Sequence, residues 1–258
     1  MAHKALKAFE TFLGNLDLRD YEKKYRPIKT VEQDLPKELN PLPDLYKHYW
    51  KPDEPTPSFP KYEDFFAQWW DQRLKALDTF IRKYFWGCSY QFVRLGLEAR
   101  LYRTAVSIWT QFHFGYRWVA SCRSPLEATP ELDLKGIDAL INLSNNLRIG
   151  LQIKKETYRS EARGENRFLK GQKAHALLEV PYTLQSEQAL IQKTENARSR
   201  AELYNLWAKV AKHLEHLPNG FVIFKESYVQ SVERFLQEHG STLSGRISWE
   251  RVAKEVLS

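Results

Sequence analysis

Asp138, Gln152 and Lys154 are the residues whose types and spacing could do chemistry together. Asp138 sits in a short apolar run, Gly136-Ile137-Asp138-Ala139-Leu140-Ile141, and a polar-x-Lys pair sits in the next, Gly150-Leu151-Gln152-Ile153-Lys154. The polar stretch from Asn142 to Arg148 predicts a hairpin turn between two strands. Side chains alternate across a strand, so Gln152 and Lys154 share a face while Leu151 and Ile153 point the other way. With Asp138 opposite that pair, a carboxylate, an amide and an ammonium converge at one sheet edge. Such a set suits Mg2+-dependent hydrolysis of a phosphodiester. Magnesium takes oxygen ligands, often one or two carboxylates beside water and substrate phosphate. Asp138 is the first carboxylate, the Ile153 backbone carbonyl a second oxygen, and Lys154 the cation that orients water and offsets charge on the phosphate. Gln152 stands where nucleases of this layout more often carry an acid. Its amide oxygen can ligate but brings no charge, so Asp133 and Glu98 are the groups expected to restore it.

Each residue also has a plainer role. Asp138 could cap a turn, Lys154 and Lys155 could end a solvated strand, and Glu98 could pair with Arg94 one turn earlier. Gly136 and Gly150 either let DNA approach closely or shape turns. The following segment favours the chemical reading. From Arg148 to Lys173 there are eight Lys/Arg against three Glu, a net +5 within a chain of net charge +7. A basic stretch leaving the catalytic strand can follow a phosphate backbone, and its arginines can bond guanine edges in the major groove. The candidate DNA contacts are Lys155, Tyr158, Arg159, Arg163, Asn166, Arg167, Lys170 and Lys173, with Arg159 and Arg163 nearest the catalytic strand.

The elements around them follow from periodicity. Helix-like pieces rich in Lys and Glu fill the first forty or so residues, and the proline cluster 52–60 is a linker or surface loop. Residues 62–85 predict one helix with Phe66, Trp70, Leu74, Leu77 and Ile81 on a core-facing stripe, and 92–114 predict another, with Glu98 at the edge of its stripe. Strands are predicted at 176–180 and 221–224, a polar helical region broken near Arg198 at 186–217, and helices at 226–239 and 249–257. The chain divides into a helical, proline-rich segment, 1–60, and a catalytic and DNA-binding core, 61–258. The fold class is α/β: a central mixed sheet flanked by helices, with helical additions at both ends.

The 258 residues are 43% hydrophobic and 14% aromatic, enough for a packed core, and the pI of about 9.2 favours a polyanionic partner. Two cysteines give neither a disulfide framework nor a zinc cluster and suit a reducing, cytoplasmic setting. One methionine and few cysteines point to a heat-adapted source. No apolar run is long enough to span a bilayer. His213 and His216 lack the i, i+4 zinc frame, no glycine-rich phosphate loop marks an NTPase, and no Gly-x-Ser-x-Gly elbow is present.

Several long words carry a resemblance: Asn15-Leu16-Asp17-Leu18, KYRPIKTVEQDLPKELNPLPDLY, IRKYFWGCSY, RLGLEARLYRTAVSIWTQFHF, GIDALI, QIKKETYRSEA and LPNGFVIF. The chain resembles the TaqI family of type II restriction endonucleases over nearly its whole length. The resemblance implies a PD-(D/E)xK nuclease that cuts the palindrome TCGA between T and C with Mg2+, leaving 5′-phosphates and 3′-hydroxyls. It implies a heat-loving bacterial source and a companion DNA methyltransferase. Carried over by motif, the acidic positions are Asp133 and Asp138 and the basic one is Lys154, with Lys155 as its rival. A palindromic site implies a homodimer on DNA. Gln152 leaves open a DNA-binding protein without catalysis, and a structure-specific repair or RNA nuclease would share the chemistry.

Overall fold

The structure is a computed structural model that describes residues 1–28, 31, 33–143, 147–156, 174–197 and 199–257. Two compact units divide it, His3–Phe112 and His113–Ser258.

The first unit is helical: α1 (Ala2–Gly14), α2 (Leu18–Tyr25), α3 (Leu42–Tyr49), α4 (Tyr62–Asp71), α5 (Leu74–Tyr84) and the first part of α6 (Tyr90–Ser121). Its core is aromatic. Phe12 meets Trp109 edge-on at 5.3 Å, and Tyr21 stacks on Tyr102 at 4.6 Å. Phe66 and Trp70 are buried, so these rings build the core, as their helical spacing predicts. The single helix expected over 62–85 is instead two, because the chain turns at Gln72 and Arg73. Arg73 is held there by Asp44 and by the carbonyls of Glu38 and Trp69. The break restarts the helical phase, which leaves Leu74 half exposed and buries Leu77 and Phe80.

The second unit holds β1 (Leu126–Glu127), α7 (Pro130–Asp133), β2 (Ala139–Asn142), β3 (Arg148–Lys155) and β4 (Ala176–Tyr182). After them come α8 (Glu187–Asn196), α9 (Ala201–Lys212), β5 (Leu214–His216), β6 (Val222–Phe224), α10 (Glu226–His239), β7 (Gly245–Ile247) and α11 (Trp249–Glu255). The five-stranded mixed sheet runs β1-β2-β3-β4-β7, antiparallel from β1 to β3 and parallel from β3 to β7. This is the mixed α/β architecture expected from the sequence. One correction concerns 221–224, which pairs with β5 in a separate two-stranded sheet rather than joining the central one. Another is β4, which continues through Pro181. Beyond Leu178 its outer edge has no β7 partner, so a residue without an N–H is tolerated there.

The two faces of the central sheet differ in chemistry. Ala139, Ile141, Ile149, Leu151, Ile153, Leu178 and Val180 lie on one face within the main core, with Trp207, Tyr228, Val232 and Val252. Trp207 stacks on Trp249 at 4.1 Å, so Trp207→Ala is expected to cost about 3–5 kcal/mol in a denaturant titration. The other face carries a small apolar cluster of Ile137, Leu140 and Leu177, and beyond it the polar residues. Gly150 belongs to this face for a packing reason. A Cβ there would lie 3.0 Å from Leu177 Cδ1 and 3.3 Å from Ile137 Cγ2. Gly150→Val is therefore expected to destabilise by about 1–3 kcal/mol, read as a lower Tm.

Candidate active site

Asp138 is placed by the turn before it. Thr129 caps α7 through the Leu132 N–H, and Gly136, at φ 77°, reverses the chain after the helix. The Gly136 and Ile137 N–H groups then donate to the Asp133 and Leu132 carbonyls, which closes the helix end. The chain enters β2 one residue past Asp138, whose N–H donates to the Leu151 carbonyl at 2.9 Å. The ladder between β2 and β3 begins at the Ala139–Leu151 pair, and Asp138, one residue before it, lies against the Leu151 and Ile153 edge of β3 rather than in a register pair with Gln152.

The Asp138 carboxylate is buried, and its Oδ2 accepts the Ile153 N–H at 2.6 Å. Burial, and next the charge of Asp133, push its carboxyl up to about 8, while the Ile153 bond pulls it down. A strand residue directs its N–H and C=O to the same edge, so the Ile153 carbonyl belongs to the edge that faces Asp138. Two carboxylates and a backbone carbonyl are an all-oxygen set, which fits a hard divalent cation. Among the described residues no group of three or more His, Cys, Asp or Glu is arranged to hold a metal.

Gln152 and Lys154 flank Ile153 on one face of β3, and the structure adds two neighbours that the strand pattern does not reveal. Glu179 pairs with Gln152 in the parallel register, is only 5% exposed, and lies 3.0 Å from the Lys154 ammonium. Arg246 on β7 donates Nε to Glu179 Oε1 at 2.5 Å and Nη2 to Gln152 Oε1 at 2.9 Å. The Gln152 oxygen, offered above as a ligand, here accepts from Arg246. A lone glutamate inside the apolar run Ala176-Leu177-Leu178-Glu179-Val180 was the available signal, the same one that singles out Asp138.

Glu98 lies in the first unit. Its Oε1 accepts the Tyr25 hydroxyl at 2.5 Å and the Lys24 ammonium at 2.9 Å. The expected Arg94 partner sits over the Trp70 ring instead, 5.5 Å from its centroid. Lys155 ends β3 with an exposed side chain. Tyr158, Arg159, Arg163, Asn166, Arg167, Lys170 and Lys173 lie outside the described residues.

A buried acid facing a Lys-bearing strand is the layout of a metal-dependent nuclease, and the comparisons narrow the class to the type II restriction endonucleases. The model of the TaqI restriction endonuclease family matches residues 6–236. The chain is 67% identical over 257 residues to the type II restriction enzyme TaqI of Thermus aquaticus, covering 100% of this chain and 97% of that one. It is 66% identical, with the same coverage, to the type II restriction enzyme TthHB8I of Thermus thermophilus. No solved structure matches. The chain belongs to the TaqI restriction endonuclease family.

Proposed function

We propose that this type II restriction endonuclease cuts double-stranded DNA at TCGA, between T and C, in a Mg2+-dependent reaction on a PD-(D/E)xK core. The observation that carries the reading is the buried Asp138 carboxylate bonded to the Ile153 N–H, between Gln152 and Lys154 on β3, in a chain 67% identical to TaqI. Bound at Asp138, with Asp133 and the Ile153 carbonyl beside it, Mg2+ would polarise the phosphate and acidify a water. Lys154 holds its ammonium over the shared face, where it orients the nucleophile and offsets charge on the phosphate. Asp138 is oriented for this by the Ile153 N–H, which occupies Oδ2.

Lys155, Tyr158, Arg159, Arg163, Asn166, Arg167, Lys170 and Lys173 are assigned to DNA contact, with Arg159 and Arg163 reading bases. A homodimer matches the two-fold symmetry of the site. The same reading places the enzyme in the cytoplasm of a heat-loving bacterium, beside a methyltransferase that modifies TCGA in the host genome. Among the described residues no helix is long and apolar enough to cross a membrane.

A plasmid digested with Mg2+ is expected to give discrete fragments whose 5′-phosphates begin at the C of TCGA, and a chelator is expected to stop the reaction. Retarded but intact DNA would indicate a binder, and scattered or junction-dependent cuts a repair or RNA nuclease. Arg163→Ala is expected to weaken discrimination at one base pair by about 1–3 kcal/mol. An equal loss on every sequence would make that residue a phosphate contact.

A further inference from the structure

We infer that Glu179 and Arg246 are positioning residues for the hydrolysis, fixing Lys154 and Gln152 on the catalytic face of the sheet. The inference rests on the reading of Asp138 and Lys154 as the catalytic pair. Glu179 is buried and flanked by two cations. Its Oε1 takes Arg246 Nε at 2.5 Å and lies 3.0 Å from Lys154 Nζ. Its Oε2 accepts the Trp249 N–H at 3.1 Å. Three donors on one carboxylate determine its orientation, which makes it an anchor for other groups rather than an open metal ligand. A lysine stem has four rotatable bonds and a compact charge, so it needs a fixed counter-ion to remain over one spot. Glu179 supplies one from the adjacent strand, in register with Gln152.

Arg246 performs the second task. Its planar fork spans Glu179 and Gln152, at 2.5 Å and 2.9 Å. The donor determines which end of the amide faces β7: the Gln152 oxygen turns towards Arg246 and away from the role of a ligand. That gives the neutral residue at this position a physical purpose. A carboxylate beside Arg246 would form an ion pair, whereas the amide accepts the same bond without adding charge. Asp138 and Asp133 then remain the acids assigned to the cation.

Single-turnover and steady-state cleavage of a TCGA duplex test this with Glu179→Gln, Arg246→Lys and Lys154→Met. Glu179→Gln keeps the shape and removes the charge. It is expected to lower kcat about 10–100-fold and to change KM less than about threefold. Glu179→Gln combined with Lys154→Met is expected to cut no more slowly than Lys154→Met alone, because Glu179 acts through that ammonium. A merely structural glutamate would multiply the two defects, and that result overturns the inference. Should Glu179→Gln fail to fold, Arg246→Lys carries the test: its side chain is 29% exposed, and lysine keeps the charge while losing the fork. Its kcat is expected to fall, with no added loss in combination with Gln152→Ala. Wild-type kcat in Glu179→Gln and Arg246→Lys, with Lys154→Met slowed, removes these two residues and spares the catalytic pair. Wild-type cleavage by Lys154→Met overturns the pair itself, and this inference with it.

Discussion

Asp138→Asn is expected to cut TCGA-containing DNA at least about a thousandfold more slowly than the wild type while remaining fully folded. The amide oxygen of asparagine can still accept the Ile153 N–H that Asp138 Oδ2 takes at 2.6 Å, so the strand entry is kept. What is lost is the buried negative charge that the cation requires. The same charge is a burden to the metal-free fold, since burial and Asp133 disfavour it. The Tm of the metal-free variant at pH 8–9 is therefore expected to exceed that of the wild type, with each kcal/mol gained giving about 2–4 °C in a chain of this size. Duplex affinity measured by gel retardation should change only a few-fold. An inactive variant with a lowered Tm would mean that the strand entry had collapsed. A variant that cuts at the wild-type rate would remove Asp138 from the chemistry.

Mg2+ binding is expected to expel a proton, with an apparent affinity that climbs steeply towards pH 8. The Asp138 carboxyl is raised from 3.8 to about 8, chiefly by burial, so below that value the metal-free protein holds the proton. In the proposed site the cation would take the carboxylate form, so the proton would have to leave. Between pH 6 and pH 8 the ionised fraction grows about fiftyfold, and the association constant should follow it before flattening. Isothermal titration in buffers of different ionisation enthalpy counts the protons released, and release of none at pH 6.5 would contradict the linkage. Stability has a definite sign as well. Below about pH 4 the group is protonated in both states. Above that, the unfolded chain releases the proton and the folded chain keeps it, so metal-free stability falls as pH rises to about 8 and levels off beyond. Saturating Mg2+ should offset that fall, because the ion binds only the folded site.

The shared face of Gln152 and Lys154 was legible because a strand has a period of two, which fixes faces without knowledge of the rest of the fold. α10 was equally legible: the predicted 226–239 is the helix observed, ending before Gly240. β1 and β7 span two and three residues, too few for any alternation to register. β5 lay hidden in the polar sequence Leu214-Glu215-His216, which reads as a continuation of α9. Glu98 shows the limit of helical phase: it gives the side of a helix but not the partner, and Tyr25 and Lys24 come from 73 and 74 residues away. The supports of the site were invisible for the same reason, since Glu179 meets Arg246 across 67 residues. Lone acids in apolar strands are the signal to read in both cases.

The order of synthesis gives the Arg246 and Trp249 contacts a temporal meaning. Arg246 follows Gln152 by 94 residues, and Trp249 follows Glu179 by 70. A nascent chain therefore presents Asp138, Gln152 and Lys154 to the cell well before the groups that steady them have been made. On this arrangement a polypeptide that stops short of Arg246 lacks the contacts proposed to hold Lys154 and Gln152 in place.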